Sequence, residues 1–395
     1  MKLEGHIRHS ICDVPAETWN ACANPIDQPY NPFVDHRFFR ALEESESVSA
    51  ETGWQPFHIE LKSHGQTLGI VPMYVKSHSR GEFVFDGSWA NAWYGAGGQY
   101  YPKLQVSIPF TPATGPRLLA PSDGLRARVE DQLLHIIAQV TQKLQLSSAH
   151  ITFMPKEQWE RAGKLGWLQR IDTQFHWHNA GYDSFDHFLS ELSSKKRKNI
   201  RRERRGAVQN GITIESITGS DLKEHHWDAF YEFYVDTGYR KWGRPYLNRE
   251  FFSLVSDLMP DQTLLILCKR DGKYVAGAIN FVGDDAIFGR NWGCIEDHRF
   301  LHFETCYYQA IDFAIEHKLQ RVEAGAQGGH KIARGYLPQT TYSAHFIAEN
   351  SFRYAVAQFL EEEKQYVEHD IEYIEKHSPF RNDIDLSKFQ QRTKV

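Results

Sequence analysis

The sequence predicts an α/β (α+β) fold of two tandem units with mixed central sheets, followed by a C-terminal helix. Three observations predict it. The 395 residues exceed what one hydrophobic core ordinarily serves. A hydrophobic content of 41% and a charged content of 24% belong to a folded chain. One order of elements, helix–strand–turn–strand–strand–helix–strand–helix–strand, can be traced twice.

In the C-terminal half an amphipathic helix at Asn248–Met259 precedes a strand at Thr263–Lys269. The turn Arg270-Asp271-Gly272 leads to strands at Tyr274–Val282 and Ala286–Cys294. Apolar residues at Tyr307, Ile311 and Ile315 place a helix over Phe303–His317. A strand at Arg321–Ala324, a glycine-rich turn, a short helix at Lys331–Gly335 and a strand at Tyr342–Ala348 complete the set. In the N-terminal half the helix is His36–Glu44 and the first strand Phe57–Lys62. A turn at Ser63-His64-Gly65 leads to strands at Thr67–Lys76 and Glu82–Trp89. A helix at Leu125–Leu144, a strand at His150–Met154, a helix at Glu157–Leu165 and a strand at Gln174–His178 follow. The departure is an insertion, Ala90 to Pro121, rich in Gly, Pro and Tyr. The expected domains are residues 1–180, residues 181–350 opening with a basic helix, and an acidic helix and tail at 351–395.

Composition excludes several classes. No apolar run is long enough to span a bilayer, and the N-terminus lacks the basic-then-apolar layout of a secretory signal. Five cysteines, none in a Cys-x-x-Cys pair, point to reduced thiols and a cytoplasmic location. A net charge of -5 gives no global basic field for DNA. His176-Trp177-His178 and His225-His226 lack further ligands at metal spacing, so no metal site is expected. There is no Gly-x-Ser-x-Gly elbow, and Trp227–Tyr234 reads as a core helix.

Four stretches carry chemistry. In Lys195–Arg205, KKRKNIRRERR, eight of eleven residues are basic. Such self-repulsion calls for a polyanion or counter-ions, which marks Lys195, Arg197, Arg201 and Arg205 as phosphate ligands. The bland alternative is a solvated helix paired with the acidic tail. Arg321–Pro338, RVEAGAQGGHKIARGYLP, joins a strand end to a helix start through glycines that allow close backbone approach. It places the titratable His330 beside Lys331 and Arg334, which would hold phosphates, but it matches neither the P-loop nor the dinucleotide fingerprint. In Gly289–Gln309, Arg290 and Trp292 lie on a central strand, and Glu304 and Tyr308 sit one turn apart on the next helix. A carboxylate beside a desolvated cleft can deprotonate an amine; a structural salt bridge is its other ordinary fate. Tyr100–Leu119, with Lys103 and Arg117, suits a sugar–phosphate or peptide ligand, or else packs as a surface loop.

These motifs resemble a known group. Ser193–Glu215, with Lys195-x-Arg197-x-x-Ile200-Arg201, looks like the opening of the second domain in Fem-type aminoacyltransferases. The blocks GWQPFHI, VKSHSRGEFVFDGSWA, YYPKLQVSIPFTPATGPRLL, KWGRPYL, GRNWG, LHFETCYYQ and EAGAQGGHKIARGYLP extend the likeness from Pro32 to Pro379. They resemble the bacterial FemAB-like, peptidoglycan biosynthesis/recognition family. The resemblance implies two tandem GNAT-like domains and acyl transfer to an amine. GNAT acetyltransferases hold the coenzyme A pyrophosphate in a glycine-bearing junction, but here Ile295–His302 contains no glycine. Fem-type enzymes also lack that junction and take their acyl group from aminoacyl-tRNA.

The expected activity is therefore an N-acyltransferase with an aminoacyl-tRNA or acyl-CoA donor, no covalently bound cofactor, and an amine acceptor such as a peptidoglycan precursor. The expected partner is a phosphate-bearing small molecule or tRNA. The sequence leaves the oligomeric state open. His330 or Glu304 would accept the amine proton with Tyr308 alongside, and backbone N–H groups near Trp292–Cys294 would polarise the carbonyl. The alternative is a non-catalytic protein that recognises a cell-wall precursor.

Overall fold

Val129, Leu133, Leu134 and Ile137 recur at helical spacing, and the helix Arg126–Lys143 buries all four. They meet Met73, Leu104, Val106, Ala149, Ile151 and Ala344, the alternate residues of the strands beneath. The computed structural model describes residues 2–241, 243–325 and 328–390. Trp242 of the KWGRPYL block and Ala326-Gln327 of the glycine-rich block lie outside the described residues.

This core belongs to the first of two compact units, the chain up to Asp172 together with Thr340–His369. Its strands run Trp54–Pro56, Met73–Lys76, Lys103–Val106, Ser148–Met154 and the part of Leu337–Ile347 from Thr340 on. Adjacent pairs are antiparallel except Lys103–Val106 with Ser148–Met154, which is parallel. A smaller sheet joins Glu4–Arg8, His58–Ser63 and Gln66–Val71.

The second unit comprises Thr173–Gln339 and the residues from Asp370 on. Thr213–Thr218, Thr263–Arg270, Lys273–Val282 and Ala286–Cys294 pair antiparallel in succession. Ala286–Cys294 then pairs in parallel with Arg321–Glu323, but only from Ala286↔Arg321 to Phe288↔Glu323. Among the described residues no further pairing joins the two strands, and Gly289–Cys294 leaves an open edge toward them. Both units thus have the mixed, GNAT-like layout that the resemblance implied.

Two expectations are corrected. Glu82–Trp89 is not a strand: the chain turns through Gly81 (φ 81°) and Phe83 (φ 59°), and Gly87–Gly95 is a helix. Left-handed residues cannot continue a strand. The third strand of the first unit is Lys103–Val106, inside the expected insertion. The closing strands are also exchanged. Residues 176–178 pair with Arg321–Glu323 in the second unit, whereas Tyr342–Ile347 pairs with Ser148–Met154 in the first.

Arg117, expected to bind phosphate, is fully buried. Its guanidinium donates to the carbonyls of Thr152 (2.9 Å), Gly115 (2.9 Å), Pro116 (3.2 Å) and Ala113 (2.7 Å). It clamps the loop after Lys103–Val106, because buried carbonyls there need donors. Replacing Arg117 by Met leaves those carbonyls unsatisfied and should lower unfolding free energy by about 3 kcal/mol or more in urea titration. A loss below about 1 kcal/mol would show that the clamp is dispensable.

Candidate functional site

The basic helix Ser194–Ala207 packs through its few apolar residues. Ile200 and Ala207 are buried, whereas Lys195, Arg201 and Arg205 are exposed. Arg201 reaches Asp186 (2.8 Å), and half-buried Arg197 donates to the carbonyl of Ser190 (3.3 Å). Two residues that sequence reasoning passed over fix the helix in place. Arg204 donates to Glu304 (2.9 Å) and also bonds Asp312. Glu203 accepts from the hydroxyl of Tyr308 and from Arg334 (3.0 Å). The signal was Glu203 itself, the single acid among eight cations.

Glu304 and Tyr308 lie on a π-helical turn, Glu304–Tyr308, rather than on α-helix. That wider turn is frequent at functional sites. It sends the two side chains to successive residues of the basic helix instead of stacking them on one face. Glu304 is buried and also accepts from Gln309 (2.8 Å), while its Oε2 has no hydrogen-bond partner. Burial raises its pKa against the pull of Arg204. Tyr308 is fully buried with its phenol on Glu203, and burial pushes its pKa far up. It is therefore a brace, not an accessible proton donor.

His330 is exposed, and its Nε2 lies 2.8 Å from the hydroxyl of Tyr307. Aromatic rings connect it to the open strand edge: Trp292 and His302 meet at 5.3 Å between centroids, and His302 and His330 at 6.2 Å. His302 was not anticipated, since only the fold brings it beside Trp292. Trp292 and Arg290 are half-buried on Ala286–Cys294. His330, Lys331 and Arg334 lie on a six-residue 3-10 turn, Gly329–Arg334, close to the short helix expected at Lys331–Gly335. Lys331 is buried and donates to the carbonyl of Gly325 (2.7 Å), and burial lowers its pKa to about 8. Arg334 is buried, stacks on Phe303 and donates to the carbonyl of His330 (2.6 Å). Both expected phosphate ligands thus use their charge inside the protein.

Lys103 lies in the first unit and is not part of this group. It is fully buried, bonded to Glu82 (2.7 Å), Asp86 and Ser79 (2.8 Å). Beside it Lys76 lies over the Trp54 ring at 3.6 Å and only 3.9 Å from Glu82. Burial lowers Lys76 to about 6 and raises Glu82 to about 7, so desolvation outweighs their mutual attraction. Among the described residues, no group of three or more His, Cys, Asp or Glu side chains could hold a metal, and no helix is long and apolar enough to cross a membrane.

The sequence model of a family described as FemAB-like, peptidoglycan biosynthesis/recognition, matches residues 10–382. No curated protein matches in sequence. The crystal structure of FemX superimposes with a TM-score of 0.54 at 13% identity, over 90% of this chain and 99% of that one. L-PGS from Bacillus licheniformis gives 0.50 at 10% identity, over 85% and 99%. A tandem GNAT protein from the clavulanic acid biosynthesis pathway, solved without AcCoA, gives 0.46 at 10% identity, over 88% and 99%. At such identity the first two likenesses show the fold.

Lys76 yields a pH prediction with a definite sign. The unfolded chain keeps that proton up to the ordinary lysine value of 10.5, whereas burial makes the folded chain release it at about 6. Between those values unfolding takes up a proton, so the folded state gains stability as pH rises, by about 1.4 kcal/mol per unit for one proton. Lys76→Met should remove that contribution between pH 7 and 10. Parallel stability–pH curves for the two proteins in denaturant titration would refute it.

Proposed function

The chain belongs to the FemAB-like family, and we propose that it is an N-acyltransferase moving an aminoacyl group from a transfer RNA onto an amine of a peptidoglycan precursor. The observation that carries the reading is the placement of exposed His330 next to the parted strands, with the exposed cations of Ser194–Ala207 in the same unit. In this reading the amine attacks the ester carbonyl of the donor, and its proton passes to His330. Collapse of the tetrahedral intermediate expels the ribose hydroxyl, which recovers a proton from the imidazolium. Tyr307 orients the imidazole through its hydroxyl. The open edge near Trp292–Cys294 supplies N–H groups to the developing oxyanion. Glu304 serves as a buried anchor for Arg204, not as the base.

The start of the helix after Ala286–Cys294 favours transfer RNA over coenzyme A as donor. Phe300 there is left-handed (φ 69°), and a Cβ at Gly206 of the basic helix would lie 2.9 Å from its ring. Glu296 faces Arg270 and His298 at the same junction. A carboxylate and a packed ring replace the glycine cradle that a pyrophosphate needs. Exposed Lys195, Arg201 and Arg205 instead suit a phosphate backbone.

Incubation with radiolabelled aminoacyl-tRNA and a nucleotide-linked muropeptide tests the proposal. Labelled muropeptide should form, and His330→Gln should lower kcat by about 100-fold or more with little change in KM. Joint replacement of Arg201 and Arg205 by Ala should raise KM for the RNA and reduce its salt dependence. Muropeptide binding without product from tRNA or acyl-CoA donors would favour a recognition protein. Product from acyl-CoA alone would reassign the donor, and an unchanged kcat would remove His330 from the chemistry.

A further inference from the structure

The basic helix Ser194–Ala207 has two chemically opposite sides. Lys195, Lys198, Arg201, Arg202 and Arg205 are exposed, and their three- and four-residue spacing gathers them within roughly a third of the circumference. Ile200, Glu203, Arg204 and Ala207 lie on the other side, toward the body of the second unit. Like charges set along one arc repel each other. A ligand with several phosphates along that arc removes the repulsion and displaces counter-ions. The helix that carries Glu203 is therefore more firmly ordered with such a ligand than without it.

What Glu203 holds in turn is the surroundings of His330. One carboxylate oxygen accepts from Arg334 at 3.0 Å, and the other accepts from the hydroxyl of Tyr308. Arg334 leads to the backbone of His330. Its other terminal nitrogen donates to the His330 carbonyl at 2.6 Å. Its Nε has no hydrogen-bond partner, so the buried guanidinium is placed by these two bonds and by the Phe303 ring at 3.4 Å. Tyr308 leads to the imidazole. Its neighbour on the π-helical turn, Tyr307, meets His330 Nε2 at 2.8 Å. Backbone and ring of His330 are thus both linked to one carboxylate.

The imidazole follows any shift of that turn. Gly328 is left-handed (φ 119°), and a Cβ there would lie 2.5 Å from the His330 ring. The ring therefore rests against bare backbone, an approach that only glycine permits. Phe303 also packs on it, at 5.8 Å between centroids, and Phe303 is the same ring that stacks on Arg334. A displacement of Arg334 reaches the imidazole through the carbonyl and the Phe303 ring together.

We propose that Glu203 is a positioning residue that couples occupation of the exposed cations to the placement of the His330 imidazole. A polyphosphate chain on the outer arc steadies the helix, Glu203 steadies Arg334 and Tyr308, and these hold His330. The use of this coupling in acyl transfer rests on the proposed phosphate-bearing donor. The coupling itself involves only the second unit and is measured without donor or acceptor. A plain brace would leave His330 the same whether or not the cations are occupied; a coupling residue makes the imidazole respond to a ligand that does not touch it.

The test is histidine NMR of the full chain, isotope-labelled at the imidazoles, with His330→Gln identifying the signal. Inorganic polyphosphate is the probe, titrated at constant pH and low salt. The parent should bind it saturably, and the His330 signal should move to a plateau with the same half-saturation. Glu203→Gln keeps every exposed cation, so its Kd for polyphosphate should stay within about threefold of the parent, but its His330 signal should no longer move. Arg334→Lys keeps a charge beside Glu203 and loses the fork that reaches the carbonyl. It should lose the response in the same way, and it decides the matter if Glu203→Gln does not fold. Four results would overturn the coupling: no binding by the parent up to about 1 mM polyphosphate, binding with an unmoved His330 signal, an undiminished response in either folded variant, or a Glu203→Gln chain that loses its affinity together with its response. Uncharged transfer RNA, titrated in the same way, separates the coupling from the donor. A His330 response to polyphosphate with no binding of the RNA would refute the donor and leave the coupling standing.

Discussion

Two adjacent residues of opposite charge, Glu203 and Arg204, tie the basic helix to the rest of the second unit. Arg204 engages Glu304 and Asp312, and Glu203 engages Tyr308 and Arg334. A helix so rich in cations would repel itself and any basic neighbour. These pairs convert part of that repulsion into attachment. Because Glu304 and Tyr308 are buried, removing one partner would strand a desolvated charge or phenol, a far larger penalty than losing an exposed ion pair. The attachment also divides labour along the helix: Glu203 and Arg204 face inward, while Lys195, Arg201 and Arg205 remain exposed.

The π-helical turn belongs to the same arrangement. Regular α-helix would put Glu304 and Tyr308 on one face, competing for one neighbour. The extra residue in the turn lets each reach its own partner on the basic helix. The same stretch carries Tyr307, whose hydroxyl meets His330, so one local irregularity serves both the brace and the titratable ring. His330 stays exposed while Lys331 and Arg334 beside it are buried. The glycine-rich segment therefore presents a single imidazole, not a cluster of cations.

The two units use equivalent places differently. In the second, the parallel pairing ends at Phe288 and Glu323, and among the described residues no strand continues it along Gly289–Cys294. In the first, the loop after Val106 is buried and clamped by Arg117, and charge gathers on one sheet face around Lys103. Composition alone made both look like ligand loops, since buried and exposed cations have the same letters.

The sequence by itself determined the α/β class, the basic helix, the helix Arg126–Lys143, and the run of strands from Thr263 to Cys294. These rest on local periodicity and turn chemistry, which depend on residues close along the chain. Only the tertiary structure decided which strand closes each unit, that Glu82–Trp89 turns instead of extending, and that Arg117, Lys331 and Arg334 are internal braces. Those outcomes depend on partners distant in sequence. Arg117 is set by the carbonyl of Thr152, Arg334 by Glu203 and the Phe303 ring, and Lys103 by Glu82 and Asp86. Whether a charge meets water or a buried counterpart is fixed by desolvation, and desolvation exists only once the chain has packed.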